Sequence, residues 1–398
     1  MTRRSPLTTQ HLERDARLAA YPDPAAPSDP AKAADLVEAF GPLEIEYAAL
    51  RKGCVLLDQP HRGTMHIAGD DRIEFLNRML TQELKGLEPW HSRQSFWLSR
   101  KGRVDADIRV TALPDALRFD LDIHRAAHTA ETLSSYLFAE DVTLTDASES
   151  LHRLGLHGPT AIMLLAAVST HTEGPATDSL LPGLACLVRI ADHEVLVERR
   201  DSLGEIGIEL TCESAAAPAV FNAIADAGTG ESELAERARL RPAGWHACNI
   251  ARIESGTPLY FLDFDEQNLP HETGVLRDRV SFTKGCYLGQ EVVARMEARG
   301  QAKQRLAGLR IDRPGGPDAP LPIAGAEIFA EPEATPGESK AIGRVTSSTL
   351  SPMLGMASIG FAMVRLAHAT AGTSLHVVAE GQLVPATVQP DLAFWKRG

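Results

Sequence analysis

Two stretches of this chain, their glycines 89 residues apart, share one layout of strand, glycine and helix. "GTMHIAG" alternates apolar and polar residues, as a half-buried strand does. It runs into "DDRIEFLNRML", where Ile73, Leu76 and Leu80 fall on one helical face and Asp70 is placed to cap it. "LHRLGLHG" followed by "PTAIMLLAAV" repeats the order, with Gly158 in the place of Gly69 and Pro159 suited to a first helical position. The recurrence points to an α+β region of two related halves. "RAAHTAETLSSYLFAED" reads as a further helix. From about Leu306 the pattern changes to short strands and turns ("LAGLRI", "IGRVTSST", "SIGFAMV", "TSLHVVA"), the signature of a separate small β-barrel.

The 398 residues exceed one ordinary core, so two or three domains are expected. Pro22, Pro24, Pro27 and Pro30 make "YPDPAAPSDPAKA" read as a linker behind a poorly ordered extension. "HTEGPATDSLLPG" and Ile311–Pro322 read as further breaks. The longest apolar run is eight residues, Ala161 to Val168. A membrane span needs about 20, so no membrane partner is expected. No apolar segment follows the N-terminal arginines, so no secretory signal is expected and the cytoplasm is the expected location. A net charge of −13 argues against a general nucleic-acid binder. Within that acidic chain Lys284, Arg295, Arg299, Lys303 and Arg305 outnumber Glu291 and Glu297, a local basic window that reads first as a solvated helix face.

The five cysteines are widely spaced and form no C-x-x-C, so neither a disulfide framework nor a local zinc or iron–sulfur binding motif is expected. One of them stands in unusual company. In "SFTKGCYLGQEVVARMEARG", Cys286 follows Lys284 and Gly285 and precedes Tyr287, Gly289, Gln290 and Glu291. A cation and a helix N-terminus both favour a thiolate, and "GQEVVARM" is compatible with a helix on which Glu291 pairs with Arg295 and Val292 shares a face with Met296. Gly285 and Gly289 would allow positive φ or close approach to a ligand. A reactive thiol and a small hydrophobe in a glycine-shaped turn both remain open on these grounds.

Three other clusters carry carboxylates. In "DSLGEIGIEL" Glu209 lies just past a glycine in a β pattern, where it could accept paired N–H donors from a guanidine-like heterocycle such as a pterin. In "SRKGRVDADIRV" Asp105 and Asp107 share a strand face. "RIESGTPLYFLDFDEQNLPHE" groups Asp263, Asp265, Glu266 and Glu272 and reads as an acidic surface loop or a site for a polar ring, without calcium-loop spacing. His124 and His128 stand at i, i+4 without a carboxylate pattern beside them, and no metal is expected. P-loop, G-x-G-x-x-G and G-x-S-x-G motifs do not occur.

"KGCYLGQE" resembles the signature of YgfZ-type folate-binding proteins, relatives of the glycine-cleavage T-protein (aminomethyltransferase). "ALRKGCVLLDQPHRGTMHIAGDDRIEFLNRMLTQEL", "GEIGIE", the acidic block and "AIGRVTSSTLSPMLGMASIGFAMV" resemble further blocks of that superfamily in the same order, over about Leu36 to Phe394. Ahead of it, residues 1–35 read as the N-terminal extension and Pro-rich linker, and the resemblance implies a folate-binding region of two α+β subdomains over 36–303 and a β-barrel over 304–398. It implies tetrahydrofolate as cofactor, with Glu209 at the pterin, Arg252 close to the folate, and Asp107, Gly285 and Gly289 in the binding set. The T-protein has two adjacent aspartates where this chain has Ala106 and Asp107. The resemblance gives Cys286 the functional role, flanked by Lys284, Tyr287, Gln290 and Glu291. It implies support of iron–sulfur cluster assembly or repair in client enzymes, tRNA-modifying ones among them, so that tRNA is a partner only indirectly. The alternative it leaves is a folate-dependent aminomethyltransferase or another one-carbon transferase.

Overall fold

The computed structural model describes residues 4–300 and 302–395. It divides into two compact units, one of Met1–Trp97 with Ala106–Cys248, the other of Leu98–Asp105 with Asn249–Gly398.

The first unit is α+β and contains two sheets. One has seven strands in the order Thr170–Glu173, Ala185–Ile190, His193–Arg199, Gly207–Glu213, Leu151–His157, Cys54–Asp58, Leu240–Pro242. The other has five, in the order Ser92–Leu98, Val104–Ala112, Leu117–Asp122, Arg62–Ala68, Thr143–Asp146. The repeated layout is present in both. The strand Arg62–Ala68 turns at Gly69 into the helix Arg72–Met79, and Leu151–His157 turns at Gly158 into Ala161–Val168. Both glycines have positive φ, and a Cβ would sit 2.0 Å from Asp141 O at Gly69 and 2.3 Å from Gly53 O at Gly158, so neither turn tolerates a side chain. The caps differ from expectation. Asp71, not Asp70, is the N-cap of the first helix, and its carboxylate is drawn away to accept from Asp141 N at 2.8 Å. Thr160 holds the N-cap position of the second, its hydroxyl donating to Ala238 O instead of capping, so Pro159 precedes the helix instead of opening it.

The proline-marked N-terminus is not a loose extension. Arg17–Tyr21 pairs antiparallel with Ala34–Ala39. Leu7 is fully buried in the main core beside the helix Ala217–Thr229. His11 is 1% exposed, edge-on to Phe40 and Phe221, and hydrogen-bonded to Asp58 at 2.8 Å. His152 reaches the other oxygen of Asp58 at 2.6 Å. Composition marks the prolines but not the apolar Leu7 that precedes them. "HTEGPATDSLLPG" likewise holds an edge strand, Thr170–Glu173, and a 3-10 turn, Thr177–Ser179.

The second unit contains a closed six-stranded barrel whose strands run from Gln304–Ile311 to Gln382–Val388. Its core is aliphatic, built from residues such as Leu309, Ile328, Val364, Leu375 and Val377. Among the described residues no helix is long and apolar enough to cross a membrane.

If the N-terminal segment is part of the core, Leu7→Ala costs about 2–5 kcal/mol in equilibrium urea unfolding. A dispensable extension would leave the transition where it was.

Candidate functional site

The strands of the first unit carry charge where a buried strand is usually apolar. Asp120 takes Arg62 at 2.7 Å, Arg200 at 3.0 Å and Arg153 at 3.6 Å. Glu198 takes Arg153 at 3.4 Å and Arg109 at 3.6 Å, and accepts a short hydrogen bond from Thr111 Oγ1. Arg62, Arg109, Thr111 and Asp120 come from the five-stranded sheet. Arg153 and Glu198 come from the seven-stranded one, and Arg200 directly follows its strand His193–Arg199. This layer therefore ties the two sheets together. Each ion is paired, as a buried charge must be.

Glu209 stands at the edge of this layer, 4% exposed and directly opposite Gly155 and Glu198 on the neighbouring strands. Burial alone would raise its carboxyl pKa. His157, Arg153 and Arg200 outweigh that and hold it down to about 2. His157 Nε2 lies 3.5 Å from Glu209 Oε1. Glu209 Oε2 is buried and has no hydrogen-bond partner, and neither ring nitrogen of His157 has one. Glycines make room for that imidazole. A Cβ at Gly155 would come within 2.9 Å of His157 Nε2, and one at Gly207 within 2.7 Å of Nδ1 and 2.0 Å of Arg200 O. An ionised carboxylate with one oxygen left over, facing a glycine, is a ready acceptor for an N–H donor. His61 is close enough to feel Glu209, and burial followed by Arg62 pulls its pKa down to about 4. Trp245 meets its ring at 6.2 Å and Tyr21 at 5.8 Å.

Asp107 is half-buried on the strand Val104–Ala112, and Ala106 beside it is fully buried. The remaining predicted residues lie in the second unit. Arg252, 3% exposed on the helix Trp245–Glu254, donates to Asp263 at 2.7 Å, Ser347 Oγ at 2.7 Å and Asn249 Oδ1 at 2.8 Å. Asp263 also accepts from Ser347 and Thr346 at 2.6 and 2.9 Å. Arg252 and Asp263 thus lock the helix and the acidic segment to a barrel strand. That segment is not a solvated loop, because Asp263 and Glu272 are buried and Glu272 accepts from Asn268 Nδ2 and Leu269 N.

Cys286 is exposed. Lys284 is buried instead, its Nζ 5.3 Å from the centre of the Tyr287 ring, and burial raises the Tyr287 hydroxyl to about 12. Gly289 has φ 81° and is the N-cap of the helix Gln290–Arg299, with space for a Cβ only 3.2 Å from Leu98 and Ser99 O. Gly285 has no such constraint, since a Cβ there would meet nothing. Gln290 is the first helical residue, and Glu291 is exposed beside it. Val293 is the buried residue of this helix, while Val292 packs at Gly102. The other four cysteines are buried, and desolvation pushes the thiols of Cys54 and Cys186 up to about 11 and of Cys212 to about 12.

Residues 19–284 match the GCVT N-terminal domain family, and residues 304–395 the glycine cleavage T-protein C-terminal barrel domain family. The chain belongs to the glycine-cleavage T-protein family. The aminomethyltransferase of Halalkalibacterium halodurans is 26% identical over 361 residues, 90% of this chain and 91% of that protein. That of Cutibacterium acnes is 30% identical over 361 residues, 88% and 90% of the two chains. The crystal structure of glycine cleavage system aminomethyltransferase T from Bartonella henselae superposes with a TM-score of 0.82 over 100% of this chain and 99% of that one, at 19% identity. The T-protein fold, two α+β subdomains and a six-stranded barrel, is the one expected.

The buried charges around Glu209 were not singled out in the sequence, although "LRFDLD" and "LVERR" place them at alternate strand positions. Glu209 carries a testable pH signature. Its carboxyl titrates near 4.5 when unfolded and at about 2 when folded, so its stabilisation is complete above the first value and is lost as pH falls through the second. Glu209→Gln therefore flattens the acid limb of a stability-against-pH curve over that window; an unchanged slope contradicts the assignment.

Proposed function

We propose that this T-protein family member binds tetrahydrofolate and works in folate-linked one-carbon transfer, with Glu209 as the anchor of the pterin ring. The observation that carries this is the unpartnered, buried Oε2 of an ionised Glu209. The amino-pyrimidine edge of a pterin offers adjacent N–H donors, and a carboxylate accepts two of them in parallel. The residues present fit the group: the acceptor is charged, desolvated and faced by glycine. When bound, tetrahydrofolate supplies a nitrogen pair able to carry a one-carbon unit. The chain's part is to orient the ring through Glu209, with His157 behind it and Asp107 as the carboxylate next to Ala106 on its strand. Arg252 contributes by fixing Asp263 and the helix that bears it. The naming of the curated relatives as aminomethyltransferases supports the transfer reading. Calorimetric titration with tetrahydrofolate tests it: saturable binding, weakened about tenfold or more in Glu209→Ala, is the expected result, and equal binding by that variant removes Glu209 from the site.

A second reading is favoured by Cys286, an exposed thiol within KGCYLGQE while burial disfavours the thiolate at Cys54, Cys186 and Cys212. In this reading the folate-binding protein supports iron–sulfur cluster assembly or repair in client enzymes, tRNA-modifying ones included, and Lys284, Tyr287, Gly289, Gln290 and Glu291 present the thiol. Ala106, standing where the T-protein pattern has an aspartate, fits a protein that has left aminomethyl transfer. Cys286→Ser then fails to restore client-enzyme activity in a strain lacking the protein while binding tetrahydrofolate normally. Full restoration by that variant leaves the one-carbon transferase as the function.

A further inference from the structure

A recess in the first unit is lined by neither Glu209 nor His157. It is a groove of about 790 Å³. Thr211 belongs to its lining, two residues along the strand from Glu209 and on the same face, roughly 7 Å away. Three of the buried polar atoms without a hydrogen-bond partner belong to residues of this one groove: Thr211 Oγ1, Arg118 Nε and His66 Nδ1. Thr211 is only 5% exposed. His66 and Arg118 are direct cross-strand partners on the five-stranded sheet, whereas Thr211 belongs to the seven-stranded one. Residues of both sheets that carry unpaired polar atoms thus line one recess, and such atoms are costly unless a ligand or water satisfies them.

The surroundings restrict that ligand. Arg118 Nε and the Thr211 hydroxyl are donors, which calls for an acceptor oxygen. Burial, followed by the repulsion of Arg153, pulls the guanidinium of Arg118 below its ordinary pKa against the opposing pull of Glu198, so an anion there would be welcome. Yet five carboxylates, Asp115, Glu194 and Glu213 among them, line the groove against two guanidiniums. A polyanion is repelled by that rim, whereas an ammonium is attracted. Trp90, Leu187 and Leu196 add an apolar wall.

We propose that this groove binds an α-amino acid with an aromatic or long aliphatic side chain, its carboxylate on Arg118, Thr211 and His66, its ammonium at the acidic rim and its side chain against Trp90. The site is independent of the pterin anchor. Titration of the full chain with L-phenylalanine, followed by saturation-transfer NMR and calorimetry, tests it. L-phenylalanine binds saturably. 3-Phenylpropionate, which lacks the ammonium, and 2-phenylethylamine, which lacks the carboxylate, each bind about tenfold more weakly or worse, and ATP does not compete. Arg118→Gln and the near-isosteric Thr211→Val each weaken L-phenylalanine to the same extent without lowering the melting temperature or changing the tetrahydrofolate titration. No saturable signal up to the solubility limit of the amino acid, tighter binding of ATP, or equal binding by folded Thr211→Val overturns the proposal.

Discussion

The first unit depends on a layer of buried ions. Asp120, Glu198 and Glu209 are taken out of water on strands that also carry hydrophobic core residues, and desolvating one such carboxylate costs several kcal/mol, on the order of its whole pairing energy. Four arginines answer them, three of them across the gap between sheets: Arg153 and Arg200 reach Asp120, and Arg109 reaches Glu198, while Arg62 reaches Asp120 from the neighbouring strand of its own sheet. Removing one partner would leave a buried charge uncompensated. The layer therefore fixes how the two sheets meet and, at its edge, keeps Glu209 ionised with an oxygen to spare. Fold and candidate chemistry share one electrostatic arrangement.

The same economy appears where the chain is thinned to glycine. Gly155 and Gly207 flank His157, and either Cβ would strike the imidazole that faces Glu209. The N-terminal segment closes this unit from another direction, through Leu7 in the core and His11 on Asp58, the residue that also takes His152. In the second unit the equivalent anchor is Arg252, whose fork spans Asp263 and Ser347 and so joins helix, acidic segment and barrel.

Much of this was legible in the sequence because it rests on local rules. Period-two strands, the glycines at 69 and 158 and the run of short strands after Leu306 mark the α+β halves and the barrel, and Glu209 and Cys286 stand out by their glycine-rich company. What was hidden depends on long-range pairing. Nothing local shows that Leu7 reaches the core past four prolines, or that Asp263 and Glu272 turn inward to bind Arg252 and Asn268. Arg153 and Arg200 look like solvated charges until the opposing sheet brings Asp120 to them, and Arg62 until the neighbouring strand does. Lys284 looks like a thiolate partner until Tyr287 takes it up.

The most direct test of the central claim is a crystal structure of the chain with tetrahydrofolate bound. The account predicts a pterin N–H donor within about 2.7–3.0 Å of Glu209 Oε2, with His157 still facing Oε1. A pterin bound elsewhere, or Glu209 Oε2 left without a donor, would contradict it.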